Sequence, residues 1–328
     1  MSEDTTRPTV RDLLGRLKRA ALTPLENRIG PLDVRRRHAR AVREIQSVTE
    51  AIETFERRWP AGGDRSGERP IFILSAGWRS GSTLLQRLVL SGGDALIWGE
   101  PYDHCDLVRR LADSLKGISA DYPPESFFRR AQLSGDREYS GEWVANLYPE
   151  PRSLGRAHRD FFCTLYAEPA RSAGFSRWGF KEVRLSADYA RYLRWLFPEA
   201  RLLLLYRNPY EAYRSYRRFR GWYDRWPDEP VLTPAQFGSR WRDLAGGFVE
   251  QSDVLGAHLV KFEQLRADGA TVRAISDYTG MTLKPEVLEK RIAGRGEGTI
   301  TPQKPSTSEI RALARQVEPL ASRLGYAP

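Results

Sequence analysis

Residues 71–74 read Ile-Phe-Ile-Leu and pass without a spacer into Ser75-Ala76-Gly77-Trp78-Arg79-Ser80-Gly81-Ser82-Thr83. Leu84-Leu85-Gln86-Arg87-Leu88-Val89-Leu90 follows, apolar at helical spacing. A short, wholly apolar run is a strand buried on both faces, and such strands belong to parallel sheets covered by helices. The sequence is therefore strand, tight turn, helix. Arg201-Leu202-Leu203-Leu204-Leu205-Tyr206 repeats the signal, ending at Arg207-Asn208-Pro209 before another helical stretch, and Leu259-Val260-Lys261-Phe262 reads as a third strand. The expected fold is α/β: three layers, a central parallel sheet, and a phosphate-binding strand-loop-helix.

The turn explains more than the fold. Glycines at 77 and 81 let the backbone approach a ligand closely, and the amides opening a helix bind anions with little side-chain help. Ser80, Ser82 and Thr83 add hydroxyl donors. The pattern of nucleoside-triphosphate hydrolases nevertheless fails, because no lysine follows Gly81 and the cation comes earlier, as Arg79. The strand at Leu202–Tyr206 also does not end in an aspartate that could hold magnesium. An anion site is expected, without Mg-ATP.

Composition narrows the partners. Among 328 residues, 52 Lys+Arg face 42 Asp+Glu for a net charge of +10, and lysine supplies only Lys18, Lys116, Lys181, Lys261, Lys284, Lys290 and Lys304. Arginine's flat fork of donors suits phosphate and sulfate. The cations are spread along the chain, which argues against a nucleic-acid-binding tail. Two cysteines, Cys105 and Cys163, build no disulfide framework, and no Cys/His cluster has zinc spacing. With a polar N-terminus and no apolar run near the roughly 18 residues of a membrane span, the expectation is a soluble, cytoplasmic protein.

Two regions stand apart from the core pattern. Residues 1–60 read as helical, with Val42, Ile45, Val48, Ile52, Phe55 and Trp59 on one stripe. That stripe packs on the main domain, or else dimerises the chain or faces a lipid. Residues 60–69 read as a linker to the domain at 68–328. The second region, about 216–241, holds Tyr216, Phe219, Trp222, Tyr223, Trp226, Phe237 and Trp241 among arginines. It is either an aromatic core beneath an insertion or the wall of a substrate cleft.

Arg79-Ser80-Gly81-Ser82-Thr83-Leu84-Leu85 resembles the 5′-phosphosulfate loop of sulfotransferases that use 3′-phosphoadenosine 5′-phosphosulfate (PAPS). Arg207-Asn208-Pro209-Tyr210-Glu211-Ala212-Tyr213-Arg214-Ser215 resembles that family's 3′-phosphate site, an Arg at a strand end with a Ser eight residues on. Asn208 stands where Asp is commoner. Each motif alone is weak, but both at strand ends and in the family's order are specific. The resemblance covers about residues 70–310 and is nearest in style to the bacterial, carbohydrate and tyrosylprotein branches.

The resemblance implies a metal-free transfer of a sulfuryl group from PAPS to a hydroxyl, releasing adenosine 3′,5′-bisphosphate. Glu100, in Trp98-Gly99-Glu100-Pro101-Tyr102, matches the proposed base, with His104 as runner-up. Lys181, in Trp178-Gly179-Phe180-Lys181-Glu182-Val183-Arg184, matches a lysine beside the sulfuryl group, although an ion pair with Glu182 or another acid would account for it equally. Arg79, Ser80, Gly81, Ser82, Thr83, Leu84, Arg207 and Ser215 would bind the donor. Arg295 and Lys304 flank a glycine-rich stretch of the kind that closes over the nucleotide. The expected acceptor is a carbohydrate, a glycoconjugate or a small natural product. Two other readings remain: a divergent nucleotide kinase, and a non-catalytic basic module for membrane or nucleic acid.

Overall fold

A computed structural model describes residues 47–60, 67–128, 145–217, 231–267, 269–290 and 304–328. Val42, Ile45, Phe219, Trp222, Tyr223, Trp226 and Arg295 lie outside the described residues. Five strands, β1 (Ile71–Ser75), β2 (Ala95–Trp98), β3 (Arg177–Glu182), β4 (Arg201–Tyr206) and β5 (His258–Lys261), form one parallel sheet in the order β2-β3-β1-β4-β5. Twelve α-helical segments among the described residues accompany them. The first six are α1 (Val48–Arg58), α2 (Ser82–Leu90), α3 (Leu107–Asp113), α4 (Pro151–Phe162), α5 (Glu168–Ser172) and α6 (Ala187–Leu196). The rest are α7 (Pro209–Tyr216), α8 (Pro234–Gln251), α9 (Phe262–Ala267), α10 (Gly269–Thr279), α11 (Thr307–Val317) and α12 (Leu320–Arg323).

Alternation along the strands builds two cores. Phe72, Leu74, Phe180, Leu202 and Leu204 face one layer, with Val48, Ile52 and Phe55 of α1, Leu193 of α6 and Trp241 and Phe248 of α8. Ile71, Ile73, Leu203 and Leu205 face the other, with Leu85, Leu88 and Val89 of α2 and Val272 and Ile275 of α10. All five β1 residues are buried, as a central parallel strand requires. This is the three-layer α/β fold expected from the apolar runs.

The sheet fixes where a ligand can bind. β1 pairs with β3 on one side and β4 on the other, so the chain's direction of winding reverses at β1. Crevices at such switch points, beyond the carboxyl ends of the strands, are where open parallel sheets bind ligands. Residues 76–81 follow β1, Glu100 follows β2, Lys181 sits at the end of β3, and Arg207 follows β4. The turn at 76–81, Glu100, Lys181 and Arg207 therefore lie at the same edge of the sheet.

Three aromatic residues of the second region belong to the core. Tyr216, Phe237 and Trp241 are buried, and Tyr216 packs on Phe237 at 5.1 Å and stacks on Trp78 at 5.8 Å. Phe262, read as a strand end, instead opens α9, since β5 stops at Lys261. The α1 stripe at Val48, Ile52, Phe55 and Trp59 is buried. Asp188 of α6 accepts from the Val48 and Thr49 amides at 2.8 Å each, capping that helix from outside.

Candidate active site

The turn after β1 is held in a conformation that few residues adopt. Gly77, Arg79 and Gly81 all have positive φ, at 80°, 65° and 93°. For Arg79 this left-handed backbone costs about 1–2 kcal/mol, so the surroundings must fix it. They do so on both sides of the residue. Arg207 Nη1 donates to the Arg79 carbonyl at 2.9 Å, and Arg79 Nε donates to Ser215 Oγ at 2.9 Å. The two motifs are thus laced together through Arg79. The spacing suggested a phosphate clamp of Arg207 and Ser215; among the described residues, Ser215 meets Arg79 first.

The loop has the geometry of an anion cradle. Gly81 caps α2 without a side-chain hydrogen bond, so no capping group competes for the first-turn amides of Ser82 and Thr83. Ser80 is fully buried and its hydroxyl donates to the Gly77 carbonyl at 2.7 Å. Its proton therefore shapes the loop rather than pointing outward. Ser82 is buried, Leu84 half-buried and Thr83 exposed.

The end of β4 is fixed with equal care. Trp241 Nε1 donates to the Arg207 carbonyl at 2.9 Å. Asn208 caps α7, its Oδ1 accepting from the Tyr210 and Glu211 amides at 2.9 and 3.2 Å. That explains why Asn serves where Asp is commoner, since both side chains cap well. The Asn208 amide donates to Glu263 Oε1 at 2.9 Å, and Glu263 Oε2 accepts from the Tyr326 hydroxyl at 2.8 Å.

Glu100 and Lys181 meet. The Lys181 ammonium donates to the Glu100 carboxylate, so the acid and the cation read separately from sequence form one ion pair. Lys181's partner is therefore Glu100 rather than its neighbour Glu182. Glu182 is engaged elsewhere: its Oε1 accepts from the Val183 amide at 2.7 Å and from Arg184 Nε at 3.0 Å, and its Oε2 from Arg184 Nη2 at 3.1 Å. Burial pushes the Glu182 carboxyl up, against the opposing pull of Arg184. For Arg184, burial is outweighed by Glu182 and the nearby carboxylates, which raise it.

Sequence reasoning missed the parts that aim the Glu100 segment. Arg184 Nη1 lies 3.0 Å from Asp103 Oδ1, and its Nη2 donates to the Asp103 carbonyl at 3.1 Å. Tyr102, Asp103 and Asp106 all have positive φ, so this segment too is constrained. Gln86 Nε2 of α2 donates to the carbonyls of Ile97 and Trp98 at 2.8 and 3.2 Å. Trp98 Nε1 donates to the Tyr166 carbonyl at 3.0 Å, within a π-helical turn at Cys163–Ala167. His104 stands apart, its side chain 60% exposed and its Nε2 3.8 Å from Asp103 Oδ2. Lys304 is exposed ahead of α11. Among the described residues no group of three His, Cys, Asp or Glu could hold a metal ion, and no helix is long and apolar enough to cross a membrane.

A family model described as "Sulfotransferase family" matches residues 70–285, a span that holds all five strands, the turn after β1 and the Arg207–Ser215 segment. The chain belongs to the sulfotransferase family. It is an enzyme of the sulfuryl-transfer class, and its five-stranded parallel sheet is that family's α/β architecture. No curated protein matches it. Among solved structures, the sulfotransferase domain from the Synechococcus PCC 7002 olefin synthase is 19% identical, with a TM-score of 0.46, covering 82% of this chain and 99% of that one. The sulfotransferase domain from the curacin biosynthetic pathway is 15% identical, with a TM-score of 0.46, covering 80% and 99%. Sulfotransferase STF9 from Mycobacterium avium is 14% identical, with a TM-score of 0.42, covering 88% and 86%.

Proposed function

We propose that this sulfotransferase takes its sulfuryl group from PAPS and delivers it to a hydroxyl of a carbohydrate, a glycoconjugate or a small natural product. The observation that carries the donor reading is the lacing of the two motifs. A donor with a phosphosulfate at one end and a 3′-phosphate at the other needs two anion sites at a fixed separation. Arg79, joined to Ser215 by its side chain and to Arg207 by its carbonyl, supplies that fixed relation. The amides of the 76–83 turn and Arg79 would hold the phosphosulfate, and Arg207 and Ser215 the 3′-phosphate.

The residues at the ends of β2 and β3 fit the transfer itself. The acceptor oxygen attacks sulfur as the sulfur–oxygen bond to the 5′-phosphate breaks, and the acceptor's proton goes to Glu100. Lys181, paired with that carboxylate, would stabilise the charge that builds on the bridging oxygen. Glu100 is taken over His104 as the base on position: its carboxylate is mostly buried and Lys181 fixes where it lies, while the His104 side chain is 60% exposed. Arg295 and Lys304 are assigned to the nucleotide side by sequence likeness. The basic surplus favours anionic ligands generally, and the soluble, cytoplasmic setting expected from sequence is part of this proposal.

Glu100→Gln is the test. It should leave adenosine 3′,5′-bisphosphate affinity intact while turnover falls by about 10²–10⁴-fold, the usual contribution of a general base. Turnover is read by mass spectrometry as the gain of one SO3 unit on a panel of sugars, glycolipid head groups and phenols. Undiminished turnover would remove Glu100 from the base role and return His104 to it. A panel in which no member gains SO3 from PAPS would overturn the acceptor classes.

A further inference from the structure

One aromatic ring touches both anion-binding motifs. Phe262, the first residue of α9, follows β5 at the sheet edge where the site lies. The Arg207 guanidinium carbon sits 4.5 Å from the centre of its ring. On another side the ring lies against the loop: a Cβ built on Gly81 would fall 2.2 Å from both Cδ2 and Cε2 of Phe262. Gly81 therefore answers two demands at once, a φ of 93° and room for this ring. The backbone beside the ring is pinned to the same place, since the next residue, Glu263, accepts the amide of Asn208, the residue after Arg207.

Resting on the PAPS reading, we infer that Phe262 is a positioning residue for the donor's 3′-phosphate. It acts through Arg207 rather than by contact with the phosphate. A free arginine side chain samples many rotamers, and each must be given up when it grips an anion. The face of Phe262 fixes the plane of the guanidinium, and the Arg79 carbonyl fixes one of its nitrogens. Because the same ring bears on Gly81, the loop that receives the 5′ end and the cation that receives the 3′ end are kept in register.

The test is calorimetric titration of the full chain with two nucleotides that differ only in the 3′-phosphate, adenosine 3′,5′-bisphosphate and adenosine 5′-phosphate. Phe262→Leu should weaken the bisphosphate about three- to tenfold and leave the monophosphate within about twofold, as loss of a guanidinium–ring contact implies. Phe262→Met gives the same comparison if the leucine chain does not fold. Phe262→Tyr, which keeps the ring, should keep the affinity. In an Arg207→Lys background, where the flat fork is gone, Phe262→Leu should cost nothing further. Equal losses for both nucleotides would mean that the ring serves the base or the fold, and would overturn the inference. No loss for either would overturn it as well. A wild-type chain that does not prefer the bisphosphate would overturn the donor reading, and this inference with it. A wild type that prefers it while every Phe262 variant behaves alike would overturn this inference alone.

Discussion

Two residues apart at the exit of β3, Glu182 and Arg184 satisfy each other where water does not reach. Glu182 is 5% exposed and Arg184 3% exposed. A buried ion pair is weak evidence for stability, but breaking one strands a charge. Arg184→Met should therefore destabilise the protein by about 3–5 kcal/mol in urea denaturation, because the Glu182 carboxylate is left uncompensated. Replacing both, as Glu182→Leu with Arg184→Met, should recover most of that loss. A double variant as unstable as the single one would show that the cost lies in packing and in the Asp103 contacts instead. The same residue scale decides how the site is aimed. Asp103 hangs from Arg184 three residues after Glu100, so the segment whose carboxylate meets Lys181 is tied to a buried cation just past the end of β3.

Glycine shows how element-scale packing changes the meaning of one substitution. In β3, a Cβ on Gly179 would fall 1.8 Å from the Ile71 carbonyl, the residue paired with it across β1. Gly179→Ala should part those strands and cost about 3 kcal/mol or more. In α8, Gly246 has room for a methyl, which would meet Leu320 Cδ2 at 3.6 Å, an ordinary van der Waals contact. Gly246→Ala should stabilise by about 0.5–1 kcal/mol through helix propensity alone. Urea denaturation of both chains reads the opposite signs, and equal signs would contradict this packing. The contrast also shows what sequence could and could not convey. β1 and β4 were legible because their residues are apolar throughout, and the turn between β1 and α2 because glycine and serine cluster there. β3 was not read as a strand, since Gly179, Lys181 and Glu182 break its apolar run for reasons of neighbours: a carbonyl, Glu100 and Arg184. Arg79, Glu100, Lys181 and Arg207 could be singled out by motif, yet the Arg79–Ser215 bond and the Glu100–Lys181 pair join residues 136 and 81 positions apart. Phe262 gave no signal at all, because an aromatic at the end of an apolar run looks like more strand.

For the whole molecule, the parallel sheet converts separate sequence positions into one site. Strands running the same way present their carboxyl ends together, so the turn after β1, Glu100, Lys181, Arg207 and Phe262 share an edge although they span residues 76–262. Part of the positive charge is local: Arg79 and Arg207 meet at that edge, where Lys181 is balanced by Glu100, while the remaining cations are distributed over the chain. The central claim is that the edge is built for a nucleotide carrying a 3′-phosphate and not for Mg-ATP. Thermal unfolding of the wild-type chain with adenosine 3′,5′-bisphosphate, against the same scan with Mg-ATP, tests it most directly. The bisphosphate at about 100 times its dissociation constant should stabilise the fold by about 2.7 kcal/mol, with no comparable shift from Mg-ATP. Stabilisation by Mg-ATP and none by the bisphosphate would contradict the account.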